Sequence, residues 1–305
     1  MNKIKTIFIG TPEFAVPSLD ILVQNNIEVA AVITAPDRPK GRGRISSFSA
    51  IKEYAVEKGI PVLQPENLKN EGFLEELRSY RADLQIVVAF RMLPEAVWNM
   101  PPLGTFNLHA SLLPNYRGAA PINWAVINGE VETGVTTFFL KHQIDTGDIA
   151  FQEKEPIHEN DTCGALYERL MHKGARLVLK TVRELEKGPI QTVPQTWTSG
   201  LPVAPKIFRD TCCINWEQPA EKIRNLVRGL NPYPSAWTKF NGTLYKISEV
   251  EINKGTPTLA PGEIKTDHEK YLAVGSSDFD IRILYLQAEG KKKMDICEFL
   301  RGNKI

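Results

Sequence analysis

The hydrophobic positions in the first part of the chain fall into short apolar runs separated by stretches of helical spacing. Residues 4–9 and 28–34 are two such runs, and the apolar residues at 14–22 between them have helix-like spacing. A buried strand, a helix and a second buried strand within about 30 residues are typical of a βαβ unit. The same alternation predicts further strands at 61–64, 84–90, 105–109 and 132–140. The helices that it predicts lie at 50–58, 70–80, 95–99, 121–127 and 162–187.

This alternation predicts an α/β fold with a Rossmann-like, mostly parallel sheet in the N-terminal part. The pattern changes after residues 188–206, which contain four prolines and two glycines. Beyond them, short β runs separated by Gly, Asn and Pro clusters predict a smaller, closed or half-open, OB-like barrel. We therefore expect a catalytic domain over 1–188, a linker over 189–206 and a C-terminal β-barrel domain over 207–305.

Composition excludes several classes of protein. The first strand is followed by GTPEFA, which lacks the second and third glycines of a dinucleotide-binding turn, so we expect neither NAD nor FAD. The formal net charge is +1 and the hydrophobic fraction 42%, typical of a globular protein without a general attraction to nucleic acid. The four cysteines have no metal-ligand spacing, and we expect reduced thiols and no metal. No apolar run is long enough to span a membrane, and the N-terminus is unlike a signal peptide, so we expect a cytoplasmic protein.

A basic segment follows the second predicted strand. Between Arg38 and Lys52 there are five basic residues and no acidic one, and nearby prolines and glycines argue against a long helix or strand. We expect a mobile, exposed basic loop. Composition leaves two interpretations open: a solvated surface loop, or a loop that contacts the phosphates of a nucleic acid.

The strongest site candidate is the stretch 107–121, NLHASLLPNYRGAAP, at the end of a predicted strand. Asn107 and His109 are two residues apart and therefore face the same side of that strand. A lone histidine there would usually be structural, but the pair of polar side chains favours a site near the carboxyl ends of the strands. Asp145 lies 36 residues after His109 in a tight turn, where it is either a partner of the histidine or only a turn former.

Six segments of the chain carry a family resemblance: GTPEFAVPSL (10–19), TAPDRPKGRGR (34–44), FNLHASLLPNYRGAAPINWAV (106–126), IDTGD (144–148), NDTCGALYERL (160–170) and NPYPSAW (231–237). Together they resemble the methionyl-tRNA formyltransferases along essentially the whole chain. The Asn-His-SLLP-RG element is shared by enzymes that take formyl from 10-formyltetrahydrofolate, and the basic loop and second domain narrow the resemblance to the tRNA enzymes.

The resemblance implies a reaction and a catalytic set. The α-amine of methionine, esterified to initiator tRNA, attacks the formyl carbon of 10-formyltetrahydrofolate. Asn107 and His109 would donate hydrogen bonds to the developing oxyanion, and Asp145 would orient the imidazole and shuttle the proton. The Ser111 hydroxyl would cap its turn, while Arg117 would either hold the loop through a carboxylate or contact substrate, the structural role being favoured.

The resemblance also implies binding residues. Many relatives have glycine where Arg91 stands, in a loop that is one residue longer, so backbone groups of Met92 and Leu93 are the expected pterin contacts. Arg42 would read the end of the acceptor stem, and the other basic residues would contact phosphates. The implied folate-site residues are Phe90, Arg91, Met92, Leu93, Ser111, Leu112, Leu113, Pro114, Thr146 and Gly147. The implied tRNA-binding residues are Arg38, Lys40, Arg42, Arg44, Lys206, Lys291, Lys292 and Lys293.

Two alternatives remain at this point. The same formyl chemistry could serve another acceptor, such as a nucleotide amine, a sugar amine or water, although the long C-terminal domain argues against the short nucleotide enzymes. The chain could also be a non-catalytic RNA-binding protein with a degenerate formyltransferase fold, against which the intact polar set argues. We expect the protein to be a monomer.

Overall fold

The computed structural model describes residues 3–40, 45–196, 198–303 and 305 of the chain. No helix in these ranges is long and apolar enough to cross a membrane. In chain order, the strands are β1 (Lys5–Gly10), β2 (Glu28–Ile33), β3 (Arg38–Lys40), β4 (Ile45–Ser47), β5 (Val62–Leu63), β6 (Leu84–Val88), β7 (Thr105–His109), β8 (Arg117–Gly118), β9 (Glu132–Phe139), β10 (Ile149–Pro156), β11 (Val203–Ala204), β12 (Ala236–Phe240), β13 (Thr243–Asn253), β14 (Ile264–Thr266), β15 (Leu272–Gly275), β16 (Asp280–Ala288) and β17 (Met294–Asp295). The helices are α1 (Val16–Gln24), α2 (Ala50–Glu57), α3 (Glu71–Ser79), α4 (Glu95–Trp98), α5 (Pro121–Ile127), α6 (Cys163–Lys187), α7 (Ala220–Gly229) and α8 (Ile296–Gly302).

The chain forms two compact units. The first comprises Met1–Gly118, Gly134–Glu155 and Tyr167–Pro202, and the second comprises Ala119–Thr133, Pro156–Leu166 and Val203–Ile305. The boundaries that the sequence suggests, 1–188, 189–206 and 207–305, stay a prediction. Much of the expected linker lies within the first unit.

A seven-stranded sheet forms the first unit, in the order β10-β9-β7-β6-β1-β2-β5. The five strands from β7 to β5 in this order run parallel, and β9 pairs antiparallel with β7. Every residue of β6 is buried, Gln85 included, as the strongly apolar centre of the run 84–90 predicted for a central strand. On one face, Ile7, Ile33 and Val87 pack in a cluster with the apolar side of α3. Burial of each such side chain contributes about 1.5–3 kcal/mol. The Rossmann-like prediction is confirmed.

A buried ion-pair cluster joins β10 to α6. Glu155 accepts a hydrogen bond from Arg169 Nε at 2.6 Å and pairs with Lys173 Nζ at 2.9 Å. Burial raises the pKa of Glu155, but the hydrogen bonds and positive charges of Lys173 and Arg169 together lower it by more. The pKa of Glu155 is therefore below its ordinary value. The cluster thus fastens the long helix to the sheet edge with a carboxylate that is charged at neutral pH.

The basic segment differs from the loop that the sequence predicted. Arg38–Lys40 and Ile45–Ser47 pair antiparallel as β3 and β4, a short two-stranded hairpin. A proline at position 39 is compatible with this pairing because both strands are edges. At the hairpin base, Lys52 Nζ donates to Asp37 and Gln64, at 2.5 and 2.7 Å. The composition rule against a long strand was correct, but it did not exclude a three-residue one.

An antiparallel sheet forms most of the second unit, in the order β12-β13-β16-β15-β14, with β17 paired to β16. Its inner face and helix α7 enclose a separate apolar core that includes Ile223, Val227, Ile247 and Ile283. Alternating buried and exposed residues in β12 match the period-2 pattern of a sheet with one buried face. This antiparallel half-barrel confirms the predicted β class of the C-terminal domain.

Candidate active site

Strand β7 carries the two polar side chains singled out in the sequence. It lies between β6 and β9, with Asn107 opposite Val87 on one side and Phe138 on the other. His109 is buried at 7% exposure and Asn107 is half-buried. Because they are two residues apart on a strand, both side chains project from the same face of the sheet.

The imidazole of His109 is fixed through one nitrogen. Its Nε2 lies 2.9 Å from the carbonyl oxygen of Tyr116. A carbonyl can only accept, so Nε2 must carry a hydrogen and donate it. Its Nδ1 faces Asp145 Oδ2 at 3.9 Å, which is too long for a hydrogen bond. The nitrogen that remains open to a substrate is therefore Nδ1.

Asp145 comes from the connection between β9 and β10. Its Oδ2 accepts a hydrogen bond from the backbone N–H of Gly118 at 3.0 Å, and its side chain is 12% exposed. Its φ of 53° lies in the left-handed region, which aspartate tolerates better than most residues. Asp145 therefore satisfies both interpretations of the sequence, as a turn residue and as the carboxylate beside His109.

The remainder of this turn leaves little room for change. A Cβ added to Gly147 would collide with the carbonyl oxygen of Phe139, so a glycine is required where the two backbones meet. Thr146 Oγ1 donates to the carbonyl oxygen of Gln143 at 2.9 Å. The close approach to Phe139 and the Thr146 hydrogen bond thus constrain part of the turn that carries the Asp145 carboxylate.

The SLLP turn after β7 is held by side chains from three segments. Ser111 Oγ donates to the carbonyl oxygen of Asn115 at 2.6 Å, which matches the capping role expected for its hydroxyl. Thr136 Oγ1 donates to the Ser111 carbonyl oxygen at 2.6 Å, and Gln152 Nε2 donates to the Leu113 carbonyl oxygen at 2.9 Å. The sequence did not reveal Thr136 and Gln152, because neither belongs to a motif.

The loop after β6 carries the predicted residues Phe90 and Arg91. The Arg91 guanidinium donates to the carbonyl oxygens of Pro65 and Glu66, at 2.6 and 3.2 Å, and lies 5.7 Å from the centre of the Phe90 ring. Arg91 thus ties this loop to the loop after β5. The residue that departs from the family pattern has a structural contact of its own.

The predicted folate loops present apolar surface to solvent. Met92 is 74% exposed in the loop after β6, and Ile144 is 62% exposed in the turn that carries Asp145. Leu93 and Leu113 are buried, whereas Leu112 and Pro114 are half-buried. Exposed apolar side chains beside backbone polar groups suit a flat heteroaromatic ring, so the residues present fit a pterin.

Arg117 and Gln195 connect the site to the proline-rich segment. Arg117 Nε and Nη2 both donate to Gln195 Oε1, at 3.1 and 2.6 Å. Burial lowers the pKa of Arg117, and the negative charge of Asp145 opposes that shift. Gln195 Nε2 donates to the carbonyl oxygens of Asp145 and Gly147. Gln195 lies in the expected linker, where proline content gave no sign of a role at the site.

The predicted tRNA-binding residues fall in separate places. Arg38 and Lys40 belong to β3, whereas Arg42 and Arg44 lie outside the described residues. In the second unit, Lys206 and Lys291–Lys293 are exposed. Lys206 Nζ lies 5.5 Å from the centre of the Phe208 ring, and Lys293 Nζ lies 4.9 Å from that of Tyr285. Cations and aromatic rings at a surface are compatible with RNA, and the assignment stays a prediction.

Comparison with known proteins supports the fold. The profile described as formyl transferase matches residues 2–182, and that described as formyl transferase, C-terminal domain, matches residues 206–304. The N-formyltransferase of Helicobacter canadensis, solved with folinic acid and dTDP-3-aminofucose, has the same fold. Its TM-score is 0.70 at 23% identity, over 93% of this chain and 99% of that one.

Two curated relatives with high sequence identity identify the family within the formyltransferases. The methionyl-tRNA formyltransferase of Parabacteroides distasonis is 54% identical, over 99% of this chain and 97% of its own. That of Bacteroides fragilis is 50% identical, over 99% of this chain and 95% of its own. The chain therefore belongs to the methionyl-tRNA formyltransferase family.

Proposed function

We propose that the protein transfers the formyl group of 10-formyltetrahydrofolate to the α-amino group of methionyl-initiator tRNA. The products are N-formylmethionyl-tRNA, for translation initiation, and tetrahydrofolate. The observation that carries the proposal is the polar group on one face of the sheet, Asn107 and His109 with Asp145 3.9 Å from the imidazole, in a chain of this family. Neither a metal nor a dinucleotide has a part in this proposal.

The proposed roles follow from hydrogen-bonding capacity. When bound, 10-formyltetrahydrofolate supplies an activated formyl carbon. The Asn107 amide and protonated His109 Nδ1 donate to the formyl oxygen, which gains negative charge as the amine adds. Asp145, held by the Gly118 N–H, accepts the amine proton and passes it to the folate nitrogen. One C–N bond forms, another breaks, and no covalent bond to the enzyme is needed.

The folate site in this proposal lies along three loops of the first unit. The exposed Met92 and Ile144 side chains supply apolar contact, and backbone groups of residues 92–93 supply polar contact. The residues assigned to it are Phe90, Arg91, Met92, Leu93, Ser111, Leu112, Leu113, Pro114, Thr146 and Gly147.

For the tRNA, the proposal assigns two basic groups. It assigns Arg38, Lys40, Arg42 and Arg44 to the acceptor stem, with Arg42 reading its end. The lysines of the second unit, Lys206 and Lys291–Lys293, contact phosphates. We also propose that the protein acts in the cytoplasm as a monomer, which light scattering of the purified protein would test.

A formylation assay tests the activity directly. Methionyl-initiator tRNA and 10-formyltetrahydrofolate should yield formylated methionyl-tRNA, whereas uncharged tRNA or free methionine should not. A competition among amine acceptors and water tests the alternative substrate class. Absence of product with active donor present, or faster transfer to a sugar or nucleotide amine, would refute the proposal.

A further inference from the structure

Both the oxygen and the nitrogen of the Gln195 side-chain amide form hydrogen bonds beside the candidate active site. Its Oε1 accepts two N–H groups of Arg117, and its Nε2 donates to two backbone carbonyl oxygens, of Asp145 at 3.0 Å and of Gly147 at 2.7 Å. Guanidinium groups can only donate and carbonyl groups can only accept. The orientation of the amide is therefore fixed by its partners.

These contacts hold the turn that carries the Asp145 carboxylate. The carbonyl oxygens on either side of Thr146 converge on one amide nitrogen, and the backbone of Asp145 stays in the left-handed region. On the other side, the Gly118 N–H holds the carboxylate itself. Arg117 precedes Gly118 in the chain, so Gln195 contacts both segments that fix the carboxylate.

We propose that Gln195 is a positioning residue, which acts on formyl transfer through Asp145. This inference rests on the proposed function for its catalytic readout. Placement of a reacting group is a large factor in rate, since a displacement of 1 Å can cost about 100-fold. Loss of the two Nε2 donors would leave the 145–147 turn free to shift the carboxylate relative to His109.

The segment that carries Gln195 has an anchor that does not depend on its side chain. The backbone of Val193 pairs with Ile149, through N–H···O distances of 2.8 and 2.9 Å in the two directions. A change at Gln195 should therefore leave the segment docked and the protein folded. Gln191, an exposed glutamine four residues earlier, is the matched control.

The test compares Gln195→Leu, Gln195→Glu and the control Gln191→Leu. We expect Gln195→Leu to lower kcat by about 10-fold to 100-fold, with the KM for methionyl-tRNA within about twofold of wild type. Gln195→Glu keeps the acceptor for Arg117 but loses both donors, so it should behave like the leucine variant. Gln191→Leu should match wild type. Unchanged kcat in Gln195→Leu, or full activity of Gln195→Glu, would overturn the inference.

A double-variant cycle with Asp145→Asn separates positioning from a general structural role. If Gln195 acts through Asp145, Gln195→Leu should cost less than about twofold in the Asp145→Asn background. Additive losses would refute the proposal. Hydrogen exchange at residues 145–148 gives a readout independent of activity, and faster exchange in Gln195→Leu is expected. An inactive wild type would refute the proposed function, whereas unchanged exchange would refute the role of Gln195.

Discussion

Replacing Asp145 by two different residues separates its charge from its structural contact. Asparagine keeps an oxygen that can accept the Gly118 N–H, but it removes the negative charge beside His109 Nδ1. Alanine removes both. Because the side chain is only 12% exposed, water cannot replace the lost contact freely. The two variants should thus differ in stability while sharing a defect in activity.

The magnitudes follow from these contacts. A hydrogen bond to a charged group contributes roughly 1.5–3 kcal/mol, so we expect Asp145→Ala to lose about 2 kcal/mol of unfolding free energy. Asp145→Asn should lose less than about 1 kcal/mol. A positioned proton-transfer group contributes about 10²–10⁴-fold in rate, or about 2.7–5.4 kcal/mol of barrier at 1.36 kcal/mol per tenfold. Both variants should therefore have kcat lowered at least about 100-fold.

The assay is single-turnover formylation of methionyl-tRNA, together with thermal unfolding of each variant. The expected result is an Asp145→Asn protein that unfolds close to wild type but is nearly inactive. An Asp145→Asn kcat within tenfold of wild type, alongside an impaired alanine variant, would show that the carboxylate is needed for geometry alone. The proposed proton transfer through Asp145 would then be wrong.

Three further changes test other parts of the molecule. Asn107→Ala should lower kcat by about 10²–10³-fold with little change in KM, since it removes one donor to the formyl oxygen; wild-type kcat would contradict that role. Arg42→Ala should raise the KM for methionyl-tRNA about tenfold without changing folate affinity, whereas Lys254→Ala, at an exposed site, should change neither. Glu155→Gln should cost about 2 kcal/mol of unfolding free energy at pH 7, because it leaves two cations partly buried without their partner. The pKa of Glu155 is lowered by folding, so this contribution is complete above its unfolded pKa and is lost as pH falls through the folded one. Chemical denaturation at several pH values should show that the difference in unfolding free energy between wild type and Glu155→Gln becomes smaller as the pH falls. A difference that stays constant with pH would refute the role of the Glu155 charge.

Strands with strong apolar runs could be predicted from the sequence, and weakly patterned ones could not. β1 and β6 are buried along almost their whole length and β2 along its second half, so each contains an apolar run, whereas β7 alternates the buried Phe106 and Leu108 with polar residues. β3 and β4 have three residues each and a polar, proline-containing composition, so their pairing carries no periodic signal. Backbone pairing of this kind depends on where the chain returns, which a local pattern does not encode.

The site could be predicted in part for a similar reason. Asn107 and His109 share a strand, so their common face follows from spacing alone. The approach of Asp145 depended on the order of strands and on the fold of a turn, and the sequence allowed it without requiring it. Gln195 contacts the site through backbone carbonyls of the turn. Every residue has a backbone carbonyl, so such a contact requires no particular residue type and produces no sequence motif. The proline-rich composition around it predicted a linker and concealed the contact.

The hydrogen bonds of Arg91 affect which positions near the loop after β6 can change in sequence. Its guanidinium donates to the main-chain carbonyls of Pro65 and Glu66, and every amino acid supplies such a carbonyl. Positions 65 and 66 can therefore vary among related sequences without loss of these hydrogen bonds, whereas position 91 requires a side chain with two diverging N–H groups. Statistical covariation between position 91 and its two partners should thus be weak, even though they are in direct contact.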